Sequence, residues 1–254
     1  MAKVLILGGT TEARALGESL VRRGGLEVTL SLAGRTAAPV KHAVPVRVGG
    51  FGGSDGLADH LLREKVGALI DATHPYASVI SRNAAAAARQ VDIPLVVLRR
   101  PPWVAVAGDR WTEVSDVSEA VRALGKVPRR VFVTIGRNGL AAFNQAPQHH
   151  YLIRSVDPVD PPLSLPHVAY VTARGPFSEG DDRALMAAHA IEIVIAKNSG
   201  GPAAYGKIAA ARSLGIGVLM LRRPAAPEAP TVATVEDAIA WLNHTLTSAA
   251  ARGV

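Results

Sequence analysis

The 254-residue chain contains no cysteine, so disulfides, thiol nucleophiles and thiolate metal sites are excluded from its chemistry. Aromatic residues are few. Four Phe, four Tyr and three Trp are present, and none falls in the pattern with which a β-sheet stacks nucleobases. No apolar run reaches the ~20 residues of a membrane-spanning helix. Met1-Ala2-Lys3 leads straight into an apolar strand, without a signal-peptide layout. Tyr-x-x-x-Lys, the Walker A loop and His-Glu-x-x-His are missing as well, which removes three common enzyme classes. These absences, with 48% hydrophobic residues, lead to the expectation of a cytoplasmic α/β protein. The formal charge of +7 asks for an anionic partner. Lys and Arg are not gathered into a stripe, so a polycarboxylate or a phosphorylated cofactor meets that charge as well as nucleic acid does.

What is present is a repeated strand-turn-helix rhythm. Val4-Leu5-Ile6-Leu7 reads as a short buried strand, Gly8-Gly9 turns the chain, and Ala13, Leu16, Gly17, Leu20 and Val21 recur at helical spacing. Strand, glycine turn and helix N-terminus together form a cup for an anion. Strands and helices then alternate to the end, which implies mainly parallel sheets with right-handed crossovers. Ser54 is expected to cap a helix, Pro75 and Pro202 each to open one, and Gly136-Arg137-Asn138-Gly139 to lead into another.

The second half repeats the first. Ala85–Pro101 set against Ile208–Pro224 without a gap gives nine identical pairs in seventeen, including the strand ends Leu98-Arg99-Arg100-Pro101 and Leu221-Arg222-Arg223-Pro224. The expected fold is α/β, with two Rossmann-like domains of mainly parallel sheets related by internal duplication. The expected boundaries are 1–125 and 126–254, with the segments after Pro101 and Pro224 free to cross between domains.

In a dinucleotide-binding half, an acid near the end of the second strand holds the ribose of NAD. The corresponding stretch here, Thr29 to Thr36, has no carboxylate. Ser31, Arg35 and Thr36 suit a 2′-phosphate instead, which points to NADP(H). Gly8, Gly9, Thr10, Thr11 and Glu12 would seat the cofactor, with Gly50 and Thr73 on the neighbouring loops. His74 and Tyr76 project from the Asp71–Tyr76 loop, and Lys197, Asn198, Ser199 and Gly200 from the matching loop of the second half. With Arg137 and Arg14 these make cationic cups suited to a ligand bearing several carboxylates. No metal site is expected, since His74 has no second ligand at helical spacing. An NADP-sensing binding module and a two-domain transferase with a nucleotide donor are the alternatives to a reductase.

Three blocks resemble the precorrin-6A reductase family of cobalamin biosynthesis. They are Leu7-Gly8-Gly9-Thr10-Thr11-Glu12-Ala13-Arg14, Asp71-Ala72-Thr73-His74-Pro75-Tyr76-Ala77 and Lys197-Asn198-Ser199-Gly200-Gly201. The resemblance implies an NADPH-dependent reduction of a C=C bond of the macrocycle precorrin-6A, giving precorrin-6B, or of its cobalt-containing counterpart. It implies no nucleic-acid or membrane partner, and handover to neighbouring pathway enzymes. His74, Tyr76 and Lys197 are the candidate proton donors or substrate positioners beside bound water. Arg137, Lys197, Asn198, Ser199 and Gly200 would grip substrate carboxylates.

Overall fold

The computed structural model describes residues 1–34 and 41–251. The chain divides into two compact units, Met1–Pro101 with Pro224–Val254, and Pro102–Arg223. Unit 1 contains β1 (Ala2–Leu7), α1 (Thr11–Arg23), β2 (Leu26–Leu32), β3 (Val46–Val48), α2 (Ser54–Arg63), β4 (Ala68–Asp71), α3 (Ser78–Gln90) and β5 (Leu95–Leu98). Unit 2 contains β6 (Trp111–Val114), α4 (Val117–Ala123), β7 (Arg130–Thr134), β8 (His150–Ser155), β9 (Val168–Thr172), α5 (Glu179–Ala188), β10 (Ile193–Lys197), α6 (Gly206–Ser213) and β11 (Gly217–Leu221). The chain then returns to unit 1 as β12 (Thr231–Val232) and α7 (Val235–Ala251).

Each unit carries one six-stranded sheet, and every strand pair in both is parallel. The orders are β3-β2-β1-β4-β5-β12 and β9-β8-β7-β10-β11-β6. Both follow the 3-2-1-4-5-6 plan of a dinucleotide-binding sheet. The sixth strand is exchanged: β6 follows β5 in the chain but pairs with β11, and β12 follows β11 but pairs with β5. The expected boundary at 125/126 therefore lies inside unit 2. Residues from Pro102 onward belong with unit 2, and residues from Pro224 onward with unit 1.

The sheet of unit 1 is buried on both faces, as a parallel sheet requires. Along β1, Val4 and Ile6 join Leu16 and Leu20 of α1 and Leu242 of α7. Leu5 and Leu7 point the other way, to Leu57 and Leu61 of α2 and Ala84 and Ala88 of α3. In unit 2, Phe132, Leu152, Val194 and Val218 meet Met186 of α5 and Ile208 of α6.

Several helix starts differ from expectation, each for a local reason. Ser54 is the first residue of α2, behind Gly53, and makes no side-chain cap. Pro75 does not open α3, because the Ala77 N–H closes a turn on the His74 carbonyl (2.7 Å) and the helix begins at Ser78. Pro202 likewise lies in a turn closed by the Tyr205 N–H (3.1 Å), and α6 begins at Gly206. A Cβ at Gly206 would stand 2.6 Å from the Phe177 carbonyl oxygen, so α6 approaches that segment more closely than any side chain permits. After β7 only a 3-10 turn forms, Leu140–Gln145, in place of the expected helix.

Candidate functional site

Ligands of such sheets bind beyond the carboxyl ends of the strands, where the strand order reverses. In unit 1 that point lies between β1 and β4. The chain leaves β1 through Gly8, whose N–H donates to the Ser31 carbonyl (2.9 Å), and Gly9, which has φ +114°. A Cβ on Gly8 would stand 2.5 Å from Leu30 Cδ1 and 3.3 Å from Ala13 Cβ. Only a bare backbone fits between β2 and α1, and this is the cradle that a dinucleotide pyrophosphate needs. Thr10 caps α1: its hydroxyl accepts from the Ala13 N–H (3.1 Å) and donates to the Ala72 carbonyl (2.7 Å), tying the turn to the end of β4. Within α1 itself the first amides, Thr11 and Glu12, lack intrahelical acceptors, and they stand at the positive end of the dipole. The Glu12 carboxylate is held by Arg100 at 2.5 Å and also accepts the Thr11 hydroxyl. Arg14, further along α1, is half-exposed and stands 3.8 Å from Glu18.

The loop after β4 is braced by a carboxylate the sequence reading left unused. Asp71 is 1% exposed, and its Oδ1 accepts from both the N–H (3.0 Å) and the hydroxyl (2.7 Å) of Thr73. Ser81 Oγ lies 3.3 Å from the same hydroxyl. With Thr73 donating to Asp71, this places Ser81 as donor to Thr73. The Tyr76 N–H donates to His74 Nδ1 (3.3 Å), so the ring proton of neutral His74 sits on Nε2. The two rings lie 5.7 Å apart.

At the ends of β2 and β3, Ser31 pairs in register with Arg47. The Arg47 guanidinium reaches Ser31 Oγ (3.3 Å) and donates to the Gly49 (2.6 Å) and Gly50 (2.7 Å) carbonyls, and it stacks 3.8 Å above the Phe51 ring. Arg47 is a cation beside Ser31 at these strand ends that sequence reasoning missed. Its register with Ser31 depends on pairing across sixteen residues and has no local signature. Arg35 and Thr36 lie outside the described residues.

In unit 2 the corresponding reversal lies between β7 and β10, where the Thr134 hydroxyl donates to the Ile195 carbonyl (3.1 Å). The Gly136–Gly139 turn leaves β7 here, and Arg137 stands 3.8 Å from Asp157. Lys197 is the last residue of β10, and burial pushes its ammonium pKa down. The Ser199 N–H turns back onto the Lys197 carbonyl (2.8 Å), and Gly200 and Gly201 follow at φ +68° and +69°, a left-handed pair that favours glycine. The helix expected directly behind them starts five residues later, so the loop presents backbone and side chains rather than a helix end. Unit 1 thus gathers Gly8, Gly9, Thr10, Thr11, Glu12, Ser31, Gly50, Thr73, His74 and Tyr76 near its strand ends, and unit 2 gathers Arg137 and the 197–200 loop. Among the described residues no group of three or more His, Asp or Glu is arranged to hold a metal ion. No helix there is long and apolar enough to cross a membrane.

The family model described as precorrin-6x reductase CbiJ/CobK matches residues 3–243. A precorrin-6A reductase of Sinorhizobium sp. is 52% identical over 97% of this chain and 95% of its own. A cobalt-precorrin-6A reductase of Priestia megaterium is 29% identical over 95% of this chain and 99% of its own. The solved structure of a CobK precorrin-6A reductase superposes with a TM-score of 0.92, at 49% identity, over 96% of this chain and 97% of that one. A full-length match of sequence and of both sheets leaves one conclusion: the chain belongs to the precorrin-6x reductase family.

Proposed function

We propose that the protein is an NADPH-dependent reductase that saturates a C=C bond of precorrin-6A to give precorrin-6B. The observation that carries this reading is the bare Gly8–Gly9 turn at the reversal point of a 3-2-1-4-5-6 sheet, in a chain that matches reductases of this macrocycle over its length. Bound NADPH supplies a hydride. Gly8, Gly9 and the first amides of α1 would seat the pyrophosphate, and Thr73 and Gly50 would flank the rest of the cofactor. Ser31 and Arg47 would take the 2′-phosphate, together with Arg35 and Thr36.

The macrocycle is fringed with carboxylates, and Lys197, Arg137, Ser199 and the Gly200 backbone would grip them; Arg14 is a further candidate cation for the same carboxylates. Hydride addition to one carbon leaves the neighbouring carbon to be protonated. His74 offers an N–H at Nε2, Tyr76 a phenol, and Lys197 an ammonium whose lowered pKa eases proton release. Bound water is the remaining candidate. Cytoplasmic placement, where NADPH is made, belongs to the same reading, as does handover of product to the next enzyme.

Cofactor choice tests the ribose assignment. The protein is expected to favour NADPH over NADH in kcat/KM. Arg47→Ala should raise the KM for NADPH by about 10- to 100-fold, the value of one charge-assisted contact, with little change for NADH. Steady-state kinetics with both cofactors reads this directly. An unchanged preference would remove Arg47 from the 2′-phosphate site.

A further inference from the structure

The Lys197–Gly201 loop contains two glycines in left-handed conformation and no regular structure, so by itself it has many shapes to lose. It is nevertheless held at three points by one residue ninety-five positions away. The Trp103 N–H donates to Asn198 Oδ1 (2.8 Å), and Asn198 Nδ2 donates to the Trp103 carbonyl (2.9 Å). This reciprocal pair copies what two strands exchange in a sheet, with a side-chain amide in place of one backbone. The Trp103 indole N–H then donates to the Gly201 carbonyl (2.8 Å), closing the far end of the loop. Arg223 Nε adds a bond to the Asn198 carbonyl (2.6 Å). The indole is itself wedged, with the Tyr205 ring edge-on at 5.5 Å and Lys207 Nζ 5.0 Å from its centre.

We propose that Trp103 and Asn198 are the positioning pair of this loop. They hold Lys197 and Ser199 in the arrangement that receives the macrocycle, and Asn198 acts through them rather than as a carboxylate ligand itself. The proposal rests on the reading that this loop binds the macrocycle. Each end of the Asn198 carboxamide bonds to the Trp103 backbone, which is the geometry of a brace. Loss of a brace at a reactive site shifts groups by an ångström or so, and such shifts cost up to about 100-fold.

The test uses the full-length enzyme with precorrin-6A and NADPH, comparing Asn198→Ala, Asn198→Asp, Trp103→Phe and Lys197→Ala. Asn198→Ala is expected to raise the KM for the macrocycle at least about tenfold. Trp103→Phe, which removes the indole N–H and part of the ring's packing but keeps both backbone bonds to Asn198, should give a smaller rise. Asn198→Asp, which sets a charged oxygen against the Trp103 carbonyl in place of the Nδ2 donor, should give a rise at least as large as Asn198→Ala. The NADPH dissociation constant, read by nicotinamide fluorescence, should stay within about twofold of wild type in all of them. A merely structural role would move both constants together, and that outcome overturns the proposal. If Lys197→Ala raises the macrocycle KM while the Asn198 and Trp103 variants do not, the positioning pair is wrong and the loop assignment stands. If none of the variants moves it, the loop assignment fails and the proposal with it. Should Asn198→Ala not fold, Trp103→Phe and Asn198→Asp decide the matter alone.

Discussion

Asp182→Ala is expected to destabilise the protein by about 3–5 kcal/mol, the cost of leaving a buried cation without its partner. Asp182, on α5, is 1% exposed and bonded to Arg154 of β8, itself 7% exposed. The guanidinium lies 3.7 Å from the Phe177 ring centre and 5.0 Å from that of Phe132, so it is packed among aromatic rings and has the carboxylate as its charged partner. A second buried cation stands nearby. Lys207, 3% exposed, donates to the Ala204 carbonyl at 2.5 Å. Its pKa is pushed down to about 7, first by burial, then by Arg154, against the opposing pull of Asp182. A lysine depressed in the folded state binds its proton more weakly there than when unfolded. Its cost to stability is therefore full below about pH 7 and fades as the pH rises toward the ordinary lysine value of 10.5. Removing Asp182 lowers the folded pKa further, so the loss should be larger at pH 6 than at pH 9. Lys207→Met, which leaves the Arg154–Asp182 pair balanced, should raise the urea midpoint at pH 6 and recover part of the Asp182→Ala loss in the double variant. Urea unfolding followed by tryptophan emission measures all three. An Asp182→Ala loss below about 1 kcal/mol would mean that the site is wetter than its burial implies.

Gly8→Val should weaken NADPH binding by at least about 100-fold, or about 2.8 kcal/mol. The added side chain meets Leu30 Cδ1 at 2.5 Å and Ala13 Cβ at 3.3 Å, and Leu30 is itself buried in the core. The turn must then move off β2 and carry with it the first amides of α1, the groups assigned to the pyrophosphate. Gly8→Ala should lie between the two, with about 1–3 kcal/mol of overpacking strain in the protein without cofactor. Nicotinamide fluorescence titration gives the affinity, and thermal unfolding without cofactor separates binding from folding. If Gly8→Val retains NADPH within about threefold, the pyrophosphate lies elsewhere.

The parts of the fold carried by local pattern were readable in the sequence. The run Val4–Leu7, the glycine turn and the spacing of Leu16 and Leu20 are consequences of neighbouring residues, and β1 and α1 follow them closely. The repeated Leu-Arg-Arg-Pro segments likewise end β5 and β11. Non-local features were not readable. Nothing near Pro202 announces that residue 206 must be glycine, since the reason is a carbonyl of Phe177. The partner of β6 is β11, with Trp111 set in register beside Val218 from the far end of the chain rather than beside its own sequence neighbours. Arg47 looks like an exposed strand residue until β3 is set in register with Ser31, and Lys207 looks like a helix-surface lysine until α6 is packed. Asp71 was visible within the Asp-Ala-Thr-His-Pro block, but its bonds to Thr73 depend on the tight turn after β4.

The proposed reaction moves a hydride from NADPH to a carboxylate-fringed macrocycle. The most direct measurement follows nicotinamide absorbance at low protein concentration, with precorrin-6A present and absent. The expected result is NADPH consumption only when the macrocycle is present, one equivalent per precorrin-6B formed, with the product two hydrogens heavier. A folded protein that binds NADPH yet leaves its absorbance unchanged with precorrin-6A, or consumes it equally without the macrocycle, would contradict the assignment.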